Sequence, residues 1–471
     1  MRAQPGIVAL RGAPLRFGGL DYTFTLDAEL KTLAARACMR GAAPALFVAG
    51  DADSARYMTG ARLVTSGGSR AVTALRGVLD LSGAPNGACL EYEIDLAAAG
   101  SGERWWLADR SGPSVIASIV LFLWRPRVPA SELAGTARFV LPPGMQLSLA
   151  WPKQGDHYQL DPSMFLFDGH VVFGRFNEAQ VAVPAGTLDV ALLDGVPQRM
   201  RPWISAWLHS AGNAAAQQIG RFPVPRAQII IVPVFRAGLS FGFADTGRSG
   251  GVSIAFFMPV DTSEQTLRDD WVAVHEFCHL LIPYVDRSDA WLSEGMATYL
   301  QEVVRARAGI ITAEQAWQSI YDGSLFCRTA ADTLANETRD MPALHNYKRV
   351  YWAGAIMVLM ADVELRKRTH GRTSLADVLA RLSADPSEVL RYYRGTDLLA
   401  RMDALAGEPV FTEIAKRYLD APKFPDLDAL YPQLGLVAHG EQVHLLPEAP
   451  LCWVRDAIMT PGPSAPAGNG G

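Results

Sequence analysis

The sequence predicts an α+β multidomain protein, in which a β-rich first part precedes a largely helical second part. At 471 residues the chain exceeds the size of a single hydrophobic core. Over roughly the first 195 residues, short apolar runs with a period of two alternate with Gly, Pro and Asp. After about residue 202 the apolar residues follow a period close to 3.6, which is typical of helices.

We expect the first part to fold as an antiparallel β-sandwich, because its apolar runs are short and bounded by turn residues. Strand candidates lie at 89–96 (CLEYEIDL), 145–151 (MQLSLAW) and 167–176 (FDGHVVFGRF). The most apolar segment, 114–124, is shorter than the roughly 20 residues that cross a membrane, so it predicts a buried strand or a short core helix. A helix is expected near 26–40.

The second part opens with a predicted helix at 202–220, followed by strand candidates at 227–232 and 251–258. Pro233 has no amide donor, so it should end the first strand or place it at a sheet edge. The chain from Trp291 to about Leu419 is expected to be mainly helical. The predicted helices include 266–282, which should stop before Pro283, and 347–370, which Gly371 should close.

Composition and charge exclude several classes of protein. Hydrophobic residues make up 49% of the chain, which argues against disorder, and a net charge of −5 gives no basic surface for nucleic acid. The first 19 residues lack the apolar segment of a secretory signal. The sequence as given therefore favours the cytoplasm, with a periplasmic or secreted protein as the alternative if a signal was removed.

The cysteines are few and far apart. They form no CxxC pair, so they do not indicate a disulfide framework and weakly favour a reducing compartment, although one or two disulfides in an oxidising compartment remain an alternative. The five residues are Cys38, Cys89, Cys278, Cys327 and Cys452.

The sequence HEFCH places His275 and His279 four residues apart, on one face of a helix. Both imidazoles can therefore bind one metal ion, while Glu276 can act as a base towards a water molecule. The alternative is a pair of hydrogen-bonded histidines on an ordinary amphipathic helix. The flanking residues are apolar, and buried imidazoles need compensation, so we favour a metal.

A third metal ligand is expected in the segment AWLSEGMATYLQE, at 290–302. Ser293 should cap a helix with Glu294 in its first turn, and the 14 residues between His279 and Glu294 leave room for a connecting loop. The alternative for Glu294 is a carboxylate that stabilises a helix N-terminus. With HEFCH upstream, the sequence predicts one zinc ion bound by His275, His279 and Glu294.

HExxH followed by a helix of the form WLxEGxAxY resembles the gluzincin peptidases, which include thermolysin-like and aminopeptidase N-like enzymes. The segment VYWAGAIMVL matches the later helix of the aminopeptidase N group, so the resemblance implies that Tyr351, three residues before Gly354, donates to the oxyanion. Tyr347 and His345 are competing candidates. Two features depart from the group: the spacer before Glu294 is shorter, and Ala353 replaces a basic residue.

The segment 347–382, with FTEIAKRYLD and LYPQLGL after it, looks more particularly like the glycyl aminopeptidase family. That family places a β-sandwich before a thermolysin-like catalytic domain. The resemblance therefore implies a β-rich domain at 1–195, a thermolysin-like zinc subdomain at 196–345 and a helical subdomain at 346–436. Residues 437–471 are expected to be an extension that ends in a disordered tail, PGPSAPAGNGG.

Gly250 and Gly251 precede a predicted strand and could let a substrate backbone approach its edge, or form a plain turn. Aminopeptidase N enzymes carry a glutamate in this region that grips the free amine of the substrate. No acidic residue lies between Gly250 and Val260, so exopeptidase activity rests on the resemblance.

The motifs predict zinc-dependent cleavage of peptide or protein substrates, and the family resemblance implies an aminopeptidase for small N-terminal residues. The alternatives are an endopeptidase on short peptides, a zinc epoxide hydrolase-like enzyme and a non-catalytic binding protein with the same fold. Neither a transmembrane segment nor nucleic acid is expected, and the sequence does not specify an oligomeric state.

Overall fold

The computed structural model describes residues 17–101, 107–235, 243–328, 332–385, 388, 391–421 and 427–461. The chain divides into two compact units. The first comprises Met1–Glu178, Ala191–Gly195 and Thr246–Ala255, and the second comprises Ala179–Val190, Val196–Asp245 and Phe256–Gly471.

The first unit is rich in β-structure. An eight-stranded sheet has the order β14-β15-β12-β1-β2-β8-β4-β5, and two four-stranded sheets have the orders β13-β16-β10-β9 and β11-β3-β7-β6. The strands are β1 Phe17–Leu26, β2 Thr32–Gly41, β3 Leu46–Val48, β4 Met58–Thr65, β5 Gly68–Ala71, β6 Ala74–Leu75, β7 Val78–Asp80, β8 Cys89–Asp95, β9 Ala108–Ser111, β10 Ser114–Ser118, β11 Arg125–Pro126, β12 Gly135–Val140, β13 Gln146–Leu149, β14 Lys153–Gln154, β15 His157–Leu160 and β16 His170–Gly174.

Short helices connect these strands. The α-helices are α1 Leu96–Ser101, α2 Ile119–Phe122 and α3 Pro162–Leu166, and 3-10 helices cover Ala52–Tyr57 and Ala130–Glu132. The core of the unit is aromatic, with Phe139 packed against Phe24, Trp151 and Phe173. The predicted β-rich first part is confirmed, and the apolar segment 114–124 forms both a strand, β10, and a short helix, α2.

The prediction of a helix near 26–40 is wrong. β1 ends at Leu26, and β2 pairs with β1 and with β8 in antiparallel register. Leu33, Ala35 and Met39 of β2 are buried on alternate positions, so this alanine-rich segment follows a period of two. Pairing on both sides outweighs the intrinsic helix preference of alanine.

Cys38 and Cys89 form a disulfide between β2 and β8, where they lie directly opposite each other. Their Cα atoms are 4.0 Å apart, and the bond closes a sequence separation of 51. The sparse cysteine pattern did not predict this pair, because only the strand register brings the two residues together.

Replacing both Cys38 and Cys89 with alanine should lower the free energy of opening this sheet by about 4 kcal/mol, because the bond restricts a loop of this length in the unfolded chain. Hydrogen–deuterium exchange in peptides from β2 and β8 measures the loss locally. Cys452→Ala, which removes a half-buried free thiol, is the control. Exchange as slow as in the wild type would contradict the prediction.

Among the described residues, the second unit combines most of a five-stranded sheet and two two-stranded sheets with a large set of helices. The five-stranded sheet has the order β17-β18-β19-β21-β20, and the two-stranded sheets are β22-β23 and β24-β25. The strands are β17 Asn177–Val183, β18 Gly186–Leu192, β19 Arg226–Val234, β20 Phe243–Gly247, β21 Val252–Pro259, β22 Tyr284–Val285, β23 Tyr392–Tyr393, β24 Leu436–His439 and β25 Gln442–Leu445. Pro233 lies one residue before the end of β19, as expected, but β19 is an internal strand and not an edge.

The helical second half is confirmed. The α-helices are α4 Arg201–Ala216, α5 Glu264–Arg268, α6 Val272–His279, α7 Ala290–Arg307, α8 Ala313–Leu325, α9 Leu334–Arg339, α10 Met341–Leu344, α11 Tyr347–Arg368, α12 Leu375–Ser383, α13 Gly395–Ala406, α14 Val410–Tyr418, α15 Tyr431–Leu434 and α16 Cys452–Met459. Gln198–Met200 and Arg287–Asp289 are 3-10 helices.

The continuous helix predicted over 266–282 is wrong, because the chain breaks between α5 and α6. At the break, the Asp270 carboxylate accepts from the backbone amide of Ala273 and from the indole nitrogen of Trp207. Burial raises the pKa of Asp270 to about 6, although these hydrogen bonds favour its ionised form. Asp270 thus satisfies amides that a new helix start leaves unpaired.

Part of the predicted C-terminal extension is folded, since it contains the β24–β25 hairpin and α16. Of the tail predicted to be disordered, residues 462–471 lie outside the described residues. Within the described part of the chain, no helix is both long and apolar enough to span a membrane.

Candidate metal centre

Three predicted ligands come together where α6 and α7 pack against each other. One ligand atom each from His275, His279 and Glu294 lies within 4.8 Å of the others. The Nε2 atoms of His275 and His279 are 3.3 and 3.5 Å from Oε2 of Glu294. Helical spacing brings the two imidazoles together, and only the packing of α7 adds the carboxylate.

These distances fit a zinc ion. Bonds of about 2.0–2.2 Å in tetrahedral geometry separate neighbouring ligand atoms by about 3.3 Å. Two nitrogens and one carboxylate oxygen are also the donor set of a catalytic zinc site, which keeps one position open. His275, His279 and Glu294 would therefore hold the metal.

The electrostatics of the cluster favour an ionised Glu294. Burial raises the pKa of the Glu294 carboxyl, but His279 and His275 outweigh burial, and the pKa is held well below its usual range. A carboxylate must be deprotonated to bind a metal, and the ionised form of Glu294 meets that requirement.

Ser293 does not cap the helix that carries Glu294. α7 begins at Ala290, so Glu294 lies in its second turn, and the Ser293 hydroxyl donates within the helix to the carbonyl of Ala290. The predicted first-turn position of Glu294 is therefore wrong. The helix starts earlier because the 3-10 turn Arg287–Asp289 runs directly into it.

Sequence reasoning missed Gln301, which orients His275. Nδ1 of His275 lies 2.7 Å from Oε1 of Gln301, and the Gln301 amide nitrogen donates to Glu302 at 2.9 Å. That second bond leaves only the amide oxygen for His275, so Nδ1 carries the proton and Nε2 is free to bind a metal. Gln301 is seven residues after Glu294, a helical spacing that could have identified it.

A close crossing of α7 and α11 sets the remaining geometry. A Cβ atom on Gly354 would lie 1.9 Å from the carbonyl oxygen of Trp291, and one on Gly295 would lie 2.4 Å from the carbonyl carbon of Gly354. Neither helix can therefore carry a side chain at this point. Glu294 adjoins Gly295, and Tyr351 is one turn before Gly354, so the crossing brings both towards the metal centre.

Tyr351 lies against the metal cluster. Its ring is nearly parallel to that of His275, with centroids 6.2 Å apart. Burial raises the pKa of Tyr351 well above its usual range, as do the charge of Glu294 and a hydrogen bond to it, so the phenol keeps its proton. Of the competing candidates, Tyr347 is exposed and contacts the Tyr351 ring edge-on, whereas His345 has a left-handed backbone (φ 52°).

Gly250 and Gly251 lie in the first unit, directly before β21. A Cβ atom on Gly250 would lie 2.4 Å from Met164, and one on Gly251 would lie 2.6 Å from the carbonyl oxygen of Ala150. Gly250 also has a positive φ of 63°. Packing within the first unit therefore accounts for both glycines, and their role in substrate binding stays a prediction.

Solved structures share this architecture. An aminopeptidase N family protein from Idiomarina loihiensis has a TM-score of 0.71 at 13% identity, over 89% of this chain and 78% of that chain. An M1 zinc metallopeptidase from Deinococcus radiodurans has a TM-score of 0.55 at 14% identity, over 88% of this chain and 96% of that chain.

The chain has the aminopeptidase N fold. At this identity the likeness concerns the fold, and it confirms the α+β architecture expected from the gluzincin resemblance. No protein-family model matches the sequence, and no curated protein matches it either.

Gly354→Ala should lower the free energy of unfolding by about 1–3 kcal/mol and weaken zinc binding, because the new methyl group forces α7 and α11 apart. Thermal unfolding and competition with a zinc chelator measure the two effects. Gly100→Ala is the matched control, since a Cβ atom there meets only ordinary contacts at 3.8 Å or more. A Gly354→Ala protein with wild-type stability and zinc affinity would contradict the close crossing.

Gln301→Met should weaken zinc binding by about 10- to 100-fold, because His275 loses the acceptor that fixes its ring and tautomer. The dissociation constant from chelator competition is the measurement. Thr298→Val, another buried change on α7, is the control. The orienting role of Gln301 is refuted if the two variants bind zinc equally well.

Proposed function

We propose that this chain is a zinc-dependent peptidase whose metal is bound by His275, His279 and Glu294. The observation that carries the proposal is the cluster of these three ligand atoms within 4.8 Å, with Glu276 between the two histidines on α6. Such a donor set with an adjacent glutamate is the arrangement that metal-assisted hydrolysis needs.

Zinc bound there would act as a Lewis acid that polarises a water molecule and the substrate carbonyl. Glu276 follows His275 on α6 and cannot share its direction, so we assign it to proton transfer and not to metal binding. Its carboxylate takes a proton from the attacking water and returns it to the nitrogen of the leaving amine.

Tyr351 is the proposed donor to the oxyanion that forms when the carbonyl is attacked. It keeps its phenolic proton because burial and the charge of Glu294 raise its pKa. Its ring lies beside His275, so its hydroxyl group is near the metal ligands. A donor of this kind contributes about 3–4 kcal/mol to lowering the barrier.

The finer proposal is an aminopeptidase that acts on small N-terminal residues. Cleavage at the N-terminus is supported by the family resemblance and by solved structures with this fold, among them M1 zinc metallopeptidase mutants described as bound to a Tyr-Ser-Ala substrate, L-arginine or L-tryptophan. The preference for small residues is supported by the resemblance to the glycyl aminopeptidase family alone. The segment 250–260 contains no acidic residue for the free amine. Glycine and alanine arylamides, compared with internally quenched peptides blocked at the N-terminus, separate the aminopeptidase from an endopeptidase.

Glu276→Gln should reduce peptide cleavage by a factor of about 10² or more, because the amide cannot accept the proton of the attacking water. Zinc affinity should stay at the wild-type value, since Glu276 is not a ligand. The measurements are kcat/KM on a cleaved peptide and zinc stoichiometry, with Glu314→Gln, an exposed change on α8, as the control.

Two outcomes would reject the proposal. A zinc-loaded wild-type protein that cleaves none of the arylamides or quenched peptides is not a peptidase. Full activity in Glu276→Gln would remove the assigned base.

A further inference from the structure

Four rings contact one another in a continuous series that includes a residue of the candidate metal centre. The Trp271 ring contacts the His275 ring edge-on, with centroids 5.7 Å apart. The Tyr351 ring lies parallel to His275 at 6.2 Å, and the Tyr347 ring contacts Tyr351 edge-on at 6.4 Å. The order of contacts is therefore Trp271, His275, Tyr351 and Tyr347, with a metal ligand inside the series.

The two terminal rings of this series are exposed. Trp271 is 44% exposed and Tyr347 is 41% exposed, whereas His275 is buried. Among the tryptophans in the described part of the chain, only Trp453 is comparably exposed. Tryptophan usually hides most of its large surface, so an exposed indole in contact with a metal ligand is unusual.

The fold itself does not account for a tryptophan at position 271. Trp271 is the N-cap residue of α6, but its side chain makes no capping hydrogen bond. Asp270 provides that bond by accepting from the amide of Ala273, and the carbonyl of Trp271 accepts from the amide of His275. Any residue could supply that carbonyl, so helix capping requires no indole.

We propose that Trp271 and Tyr347 form the recognition site for a bulky apolar side chain, aromatic or aliphatic, next to the cleaved peptide bond. This inference rests on the proposed peptidase function. A ring centred 5.7 Å from a metal ligand is within reach of the residues that flank a bond cleaved at that metal. Aromatic rings bind apolar side chains through buried area and ring contacts, without directional polar groups.

A bulky apolar side chain beside the cleaved bond is compatible with a small N-terminal residue in the substrate. If the first residue of the substrate is small, the bulky side chain belongs to the second residue, on the leaving side of the bond. If the protein cleaves internal bonds, either flanking position can hold it. A peptide series must therefore vary both positions.

The test uses zinc-loaded full-length protein and quenched peptides that carry Gly, Leu, Phe or Lys at each flanking position in turn. We expect kcat/KM to be higher for Phe or Leu than for Gly by about tenfold or more at one position. Trp271→Ala and Tyr347→Ala should each remove most of this preference, so that the ratio of kcat/KM for the Phe or Leu peptide to kcat/KM for the all-glycine peptide, measured in the same variant, falls towards one. A purely structural defect would lower cleavage of every peptide alike.

Trp453→Ala is the matched control, since it removes an indole that is 43% exposed on α16. It should keep the full preference for Phe over Gly. An unchanged preference in both Trp271→Ala and Tyr347→Ala would overturn the inference, as would a preference for Lys, which would indicate recognition of a cation.

A binding measurement separates this inference from the peptidase proposal. The same peptides are titrated against zinc-loaded Glu276→Gln protein, with and without Trp271→Ala, by isothermal calorimetry. Tighter binding of the Phe peptide by about tenfold, lost with Trp271→Ala, supports the recognition site even if the wild type cleaves nothing. Equal affinity for the Phe and Gly peptides overturns it even if the wild type is an active peptidase.

Discussion

Helices α7 and α11 cross at a point where neither can carry a Cβ atom, and the geometry of the candidate metal centre depends on that crossing. The carbonyl oxygen of Trp291 occupies the space that a side chain on Gly354 would need. The backbone of Gly354 in turn occupies the space that a side chain on Gly295 would need. α7 contributes Glu294 and Gln301 to the centre, and α11 contributes Tyr351. Two backbones in direct contact thus set the spacing between the third ligand and the phenol.

Helix α6, which carries both histidines, is short, and its polar groups depend on neighbours outside it. Asp270 accepts from the amide of Ala273 at its start, and Gln301 accepts a hydrogen bond from His275 in its middle. Gln301 in turn donates to Glu302, whose carboxylate accepts from Arg305 at 3.3 Å. Buried polar groups are costly unless they are paired, so this series both stabilises α7 and keeps the His275 ring in one orientation.

The short spacer between His279 and Glu294 is held by a distant part of the chain. Residues Tyr284–Val285 pair in parallel with Tyr392–Tyr393, and the amide of Gly395 donates to the Asp289 carboxylate at 2.8 Å. A Cβ atom on Gly395 would lie 2.7 Å from that carboxylate, so this contact also excludes a side chain. The connection therefore follows a defined path into α7, although it is shorter than the connection expected from the resemblance to the aminopeptidase N group.

The sequence alone determined the features that depend on local periodicity. Spacing of four residues placed His275 and His279 together, and alternating or helical patterns indicated the β-rich and helical parts. Features that require residues distant in sequence emerged only in the tertiary structure. The Cys38–Cys89 pair needed strand register, and the strand at Thr32–Gly41 needed partners on both sides.

The same distinction applies within the site. Glu294 was identified from its context, but its second-turn position and its approach to both histidines come from the packing of α7. Helical spacing places Gln301 on the same face of α7 as Glu294, but the hydrogen bond from His275 to Gln301 and the break at Asp270 come from contacts between elements. Periodicity reports which face of an element is apolar, whereas hydrogen bonds between elements depend on where those faces meet, and only tertiary packing decides that.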